Sequence, residues 1–268
     1  MIYRGNAFRS GFVFWATTLL IVLLCRPVLA GNTLYQYSTI DALLGSLFDG
    51  NLTIRELKYK GDFGLGTVNG LDGELVVLDG EAYHIRAGGE AAVPPAEVMV
   101  PFASVTFFNE ELTLALGEIT SLDELNAAIL KEVPSLNLFY GIRIDGEFSK
   151  VKARAIPKQK PPYASLASLV KQQVVVELSG PGTLVGFYSP IFVKGVNVPG
   201  FHWHFLTADR LQGGHVLDCS LAPSSAQLDI LREFSMQLPV SKAFDELDLS
   251  GDKSGELHRV EKDPAKKK

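Results

Sequence analysis

Cysteine is almost missing from this chain of 268 residues: only Cys25 and Cys219 are present. Cys25 falls in an N-terminal segment that reads as a removable leader, so the remainder keeps one thiol and can close no internal disulfide. Stability must then come from packing, or from a bound ion. Positive charge is also scarce, with 25 lysines and arginines against 30 aspartates and glutamates and a formal net charge of -5. That balance lacks the basic footprint of a nucleic-acid binder, so nucleic acid is excluded as a partner. Apolar runs are short as well. The conspicuous one spans Phe12 to Leu24, well below the roughly twenty residues that a membrane-spanning helix needs. Arg4 and Arg9 precede it and Val28-Leu29-Ala30 follow it, which is the anatomy of a signal peptide over residues 1–30, cut near Ala30. The expectation is an exported protein, periplasmic or extracellular, with no stable membrane anchor.

What is present is the balance of a globular protein, with 47% hydrophobic and 21% charged residues and 25 glycines. Apolar residues at Ile40, Leu43, Leu44, Leu47 and Phe48 recur at helical spacing, which predicts a first helix within Tyr35–Phe48, capped by Ser38 or Thr39. "GDFGLGTVNGLDGELVVLDGEAYHI" (61–85) alternates short β-type runs with Asn-Gly and Asp-Gly pairs, the chemistry of tight hairpins. A meander of three or four strands is expected there. Ser121 opens a second helix, and "NLFYGIRIDGEFSKVKARAI" (137–156) predicts paired strands about Asp145-Gly146. The segment 231–239 fits strand or helix equally, and the charged residues from Asp252 onward are expected to fray. The fold class is therefore mixed α/β of the α+β kind, β-rich, with two sheet regions and a few packed helices. Residues 31–160 read as an N-terminal β-rich domain with helices. Residues 161–268 read as a C-terminal metal-binding β-rich region with a charged tail.

Three of the five histidines crowd into "FHWHFLTADRLQGGH" (201–215). On a strand His202 and His204 point to one face and Trp203 to the other, because side chains alternate. "DRLQGG" then supplies a turn that brings His215 onto a neighbouring strand. Three imidazoles with positions left open for water or substrate suit a catalytic zinc, whereas structural zinc is closed by four protein ligands, commonly cysteines. Manganese, iron and nickel also accept such ligands. His84 and His258 read as structural or surface residues. "ELDLSGDKSGEL" (246–257) imitates a calcium loop, but with Gly251 at its sixth position Leu257 falls where the bidentate glutamate belongs. The competing functional classes are a secreted cupin-like, metal-dependent oxygenase and a secreted metal-binding module without turnover. The cupin pattern fits poorly, since Asp209 stands where a glutamate is wanted and His215 arrives too soon.

Four stretches carry a resemblance to a known family. "GDFGLGTVNGLDGEL" (61–75), "FYGIRIDGEF" (139–148), "KARAIPKQKPPY" (152–163) and "GTLVGFYSPIFVKGVNVPGFHWHFLTADRLQGGHVLD" (182–218) resemble acetolactate decarboxylase, over roughly Leu34 to Glu261. The resemblance implies decarboxylation of 2-acetolactate to acetoin with a zinc ion held by His202, His204 and His215, and a homodimer. It also implies site roles for Glu74 in "LDGEL", Thr67 in "GLGT", Arg154 in "KARAIPKQ" and Glu261 in "HRVE", with Glu256 as the second choice for the last. Such chemistry is physically coherent. A divalent cation chelated by the substrate ketone and hydroxyl oxygens stabilises the enediolate left by loss of carbon dioxide, so no organic cofactor is needed. Arg154 would orient a carboxylate, and a carboxyl such as Glu74 would move the proton that ends on carbon.

Overall fold

The computed structural model describes residues 1, 2 and 32–261, so the expected leader lies, except for its first two residues, outside the described residues, as does the end of the charged tail. The strands, in chain order, are β1 (Thr33–Tyr37), β2 (Leu52–Thr53), β3 (Phe63–Thr67), β4 (Glu74–Leu78), β5 (Glu81–Ile85), β6 (Ala91–Ala92), β7 (Met99–Val100) and β8 (Phe102–Thr106). There follow β9 (Leu112–Leu116), β10 (Phe139–Ala155), β11 (Val174–Ser189), β12 (Gly200–Thr207), β13 (Gly213–Leu221), β14 (Ser224–Leu231) and β15 (Glu233–Gln237). The helices are α1 (Ile40–Leu44), α2 (Ile54–Lys58), α3 (Leu122–Glu132), α4 (Leu166–Leu169), α5 (Lys242–Asp245) and α6 (Ser254–Glu261). This is the mixed, strand-rich architecture expected.

Two large sheets carry the fold: a seven-stranded one ordered β15-β1-β8-β3-β4-β5-β6 and a six-stranded one ordered β11-β12-β13-β10-β14-β9. One apolar cluster joins them, with Leu34, Phe63, Leu65, Val76 and Ile85 from the first sheet meeting Val185, Phe187, Leu206 and Leu231 from the second. A second cluster lies around Phe148, Trp203, Phe205 and Val216 and takes in Leu125 and Ile129 of α3. A third, built from Ile40, Leu43, Leu166, Leu169, Leu257 and Val260, gathers α1, α4 and α6. Fully burying an apolar side chain of this size contributes about 1.5–3 kcal/mol, so these clusters fix how sheets and helices meet.

The meander at 61–85 forms as expected: β3, β4 and β5 pair antiparallel, with Gly73 at φ 71 before β4 and Gly80 at φ 76 before β5. Helix α3 begins where Ser121 accepts from the Glu124 amide. Segment 233–237 is a strand, β15, parallel to β1.

Three expectations need correction. The first helix is only Ile40–Leu44, capped by the Thr39 hydroxyl, because Tyr35–Tyr37 are taken by β1 between β15 and β8. Leu47 and Phe48 are buried all the same, so the apolar spacing reports burial rather than helix. Asp145-Gly146 is not a turn: β10 runs unbroken through it, with Gly146 opposite Gly182 of β11. The Asp145 carboxylate accepts from Arg143 Nε and Thr183 Oγ1, both at 2.6 Å, and so is satisfied within the sheet rather than in a turn. The tail is not frayed from Asp252. Asp252 Oδ1 accepts from the Ser254 amide at 2.9 Å, and Leu257 and Val260 bury one side of α6.

Candidate active site

His204 on β12 and His215 on β13 are direct partners across the strand pair, and His215 is in turn the partner of Arg154 on β10. One row across three adjacent strands therefore carries Arg154, His215 and His204. His202, two residues before His204, shares its face. The three imidazole centroids are 5.1, 5.1 and 5.5 Å apart, and their ligand nitrogens lie within 4.8 Å of one another. The expected histidine set does converge. On the opposite face of β12, Gly186 of β11 makes room for Trp203, since a Cβ there would sit 2.1 Å from its ring.

His204 Nδ1 donates to the carbonyl of Leu75 at 2.9 Å, which leaves Nε2 without its proton. That Nε2 is buried and has no hydrogen-bond partner. A buried nitrogen lone pair left bare is costly unless something occupies it, and with two further imidazoles beside it the donor set fits a transition-metal ion. Burial, assisted by repulsion from Arg154, lowers the pKa of all three: His202 is pushed down to about 3, His204 and His215 well below the ordinary value. All are therefore neutral near pH 7, the form that ligates.

Two carboxyls lie against the histidines, one from each of two elements. Glu74, the first residue of β4, places Oε2 3.4 Å from His204 Nε2. Glu261, the last described residue of α6, places Oε2 3.7 Å from His215 Nε2. Burial raises Glu74 to about 8, with Arg154 pulling it down and Glu261 pushing it further up. Glu261 rises to about 7, again by burial against the opposing pull of Arg154. Arg154, 4% exposed, reaches both elements: Nη1 is 3.8 Å from Glu74 Oε1, Nη2 donates to the Val260 carbonyl at 3.0 Å, and Nε has no partner.

Thr67 also reaches the site, with its hydroxyl donating to the Gly73 carbonyl at 2.7 Å. A cavity of about 50 Å³ is lined by Thr67, Glu74, Arg154, His202, His215 and Glu261, and closed by apolar groups including Leu43, Leu71, Phe102 and Ile156. His202, His204, His215, Glu74, Thr67, Arg154 and Glu261 are thus brought together, and Glu261 rather than Glu256 is the α6 carboxyl that arrives. A wider cleft of about 780 Å³ shares only His215 and Glu261 with it. Sequence reading missed the backbone partners, the carbonyls of Leu75, Gly73 and Val260. Carbonyls carry no residue-type signal, so only the fold reveals them. The apolar wall was likewise hidden, although Leu71 belongs to the quoted "GLDGEL".

Comparison with known proteins agrees with this geometry. A family model described as Alpha-acetolactate decarboxylase matches residues 34–251. The chain is 47% identical over 234 residues to an alpha-acetolactate decarboxylase of Methanosarcina mazei, covering 87% of this chain and 81% of that one. It is 38% identical over 231 residues to the Brevibacillus brevis enzyme of that name, covering 86% and 81%. The crystal structure of alpha-acetolactate decarboxylase from Bacillus subtilis strain 168 superposes with a TM-score of 0.84 at 35% identity, covering 86% of this chain and all of that one. Neither the cupin-like oxygenase nor the non-catalytic module finds support in these matches. With a family model spanning most of its length, and relatives alike in sequence and in fold, the chain is a carboxy-lyase that belongs to the alpha-acetolactate decarboxylase family.

Proposed function

We propose that the protein converts 2-acetolactate to acetoin using a zinc ion held by His202, His204 and His215. The observation that carries this reading is the meeting of three neutral imidazoles, one with a bare buried Nε2, beside one arginine and two carboxyls of raised pKa. When bound, a divalent cation supplies Lewis-acid charge where negative charge develops on the hydroxy-ketone oxygens.

The remaining work falls to the chain's own groups. Arg154 offers an unpartnered Nε–H toward a substrate anion, and its charge acts on both carboxyls. The substrate's carboxylate carbon leaves as carbon dioxide, its bonding pair stays on the adjoining carbon, and that carbon takes one proton. Glu74 and Glu261, both biased toward the protonated form by burial, can hold that proton within the site. Thr67 fixes the Gly73 carbonyl and with it the approach of Glu74. Leu43, Leu71, Phe102 and Ile156 exclude water from the charge-bearing atoms.

The decisive experiment assays purified protein with racemic 2-acetolactate before and after chelation. Acetoin formation that is lost with the chelator and restored by Zn²⁺ is expected. Full turnover in protein shown by elemental analysis to be metal-free would refute the metal role. The reading also includes a homodimer, checked by light scattering, and export with cleavage near Ala30, checked by the N-terminal sequence of the secreted protein. No helix among the described residues is long and apolar enough to cross a membrane.

A further inference from the structure

We propose that His84 is a positioning residue for this site: its imidazole holds the turn that delivers Glu74. The inference rests on Glu74 acting at the metal-binding site. Glu74 opens β4, so its direction is set by Leu71-Asp72-Gly73 just before it. Leu71 has φ 51 and Gly73 φ 71, both in the left-handed region, which a leucine enters only when its surroundings hold it there.

The holds can be traced atom by atom. The Gly73 carbonyl accepts from Thr67 Oγ1 at 2.7 Å, and the Gly73 amide donates to the Ile156 carbonyl at 2.9 Å. The Asp72 carbonyl is met by His84 Nε2 at 2.5 Å. A carbonyl oxygen only accepts, so the His84 proton sits on Nε2. His84 is 9% exposed, and burial lowers its pKa, so the donor is the neutral ring. The Asp72 carboxylate lies 4.0 Å from the same Nε2 and 3.6 Å from Lys158 Nζ, in the loop that follows Arg154.

His84 is also the register partner of Leu75 across β4 and β5, and it is the Leu75 carbonyl that receives His204 Nδ1. Glu74 is therefore gripped on both sides: through Asp72 by His84, and through Leu75 by a proposed metal ligand. Loosening the first grip frees the carboxyl while the imidazole trio stays as it was.

Three substitutions in the metal-loaded, full-length protein separate donor from ring. His84→Gln keeps an N–H at similar reach, His84→Asn keeps the amide but falls one methylene short, and His84→Leu removes the donor. We expect His84→Gln to stay within about threefold of wild-type kcat, and the other two to lose about tenfold to a hundredfold, with KM changed less than about threefold. Metal content should be full in all three. Amide hydrogen exchange over residues 70–76 should quicken in His84→Asn and His84→Leu and not in His84→Gln. Wild-type kcat and exchange in His84→Asn, or equal impairment of His84→Gln and His84→Asn, would overturn the proposal. If His84→Leu fails to fold, the Asn and Gln variants carry the comparison. If loaded wild-type protein forms no acetoin, the reading of the site fails separately, and the exchange comparison still decides whether His84 holds the turn.

Discussion

Arg154 and Val260 are joined by a 3.0 Å hydrogen bond in which Nη2 of the guanidinium donates to a carbonyl in the last turn of α6. The same guanidinium reaches Glu74 with Nη1 at 3.8 Å. One side chain thus links the helix that brings Glu261 to the strand that brings Glu74. A lysine cannot make both contacts, because its single ammonium lacks the planar fork. Arg154→Lys is expected to keep stoichiometric metal by elemental analysis and to lose about a hundredfold in kcat. Wild-type turnover would show the arginine to be peripheral.

His204→Ala removes both the bare Nε2 and the contact to Leu75. Loss of metal and of activity together is the expected outcome, read by elemental analysis and acetoin assay. Stoichiometric metal in the purified variant would refute the ligand assignment.

A pH effect on stability follows from a buried carboxyl away from the histidines. Asp229 is fully buried, and desolvation raises its pKa from 3.8 to about 6, with Glu111 and Asp62 adding to the rise. A raised folded-state pKa means that the favourable contribution is complete below pH 3.8 and is lost as pH rises through about 6. Above that, ionised Asp229 costs stability, on the order of 1–3 kcal/mol. Asp229→Asn keeps an acceptor for the Asn109 amide and should melt several degrees higher than wild type at pH 8. That advantage should vanish near pH 4. Identical melting curves at both pH values would remove the argument.

Gly186 faces the Trp203 ring so closely that a methyl group has no room. Gly186→Ala should cost about 1–3 kcal/mol through overpacking and weaken metal retention, because Trp203 lies between His202 and His204 on β12. Denaturant unfolding and a chelator competition test the two halves. Unchanged stability would mean that the strand shifts freely, contrary to the dense core around it.

The histidine cluster was legible because strand parity is a strong local rule: His202 and His204 must share a face, and one hairpin suffices to bring His215 alongside. Glu74 and Arg154 were not legible from their surroundings. A glutamate after Asp72-Gly73 looks like a solvated hairpin residue, and Arg154 sits near Lys150, Lys152 and Lys158; only family resemblance pointed to them. Tertiary pairing, which no short window contains, turned Tyr35–Tyr37 into a strand and carried β10 straight through Asp145-Gly146. α6 was missed because its sequence is polar, and what orders it is the docking of Leu257 and Val260 together with the grip of Arg154.

The contact from His204 Nδ1 to Leu75 spans the seam between the six-stranded and the seven-stranded sheet. Until the sheets dock, nothing selects the tautomer that exposes Nε2, and neither Glu74 nor its turn is near. An ion held by the trio would therefore sit beside this seam and tie the docking of the two sheets to its own binding. Stripping it should do more than silence chemistry: the seam itself should breathe more readily, and unfolding should begin there.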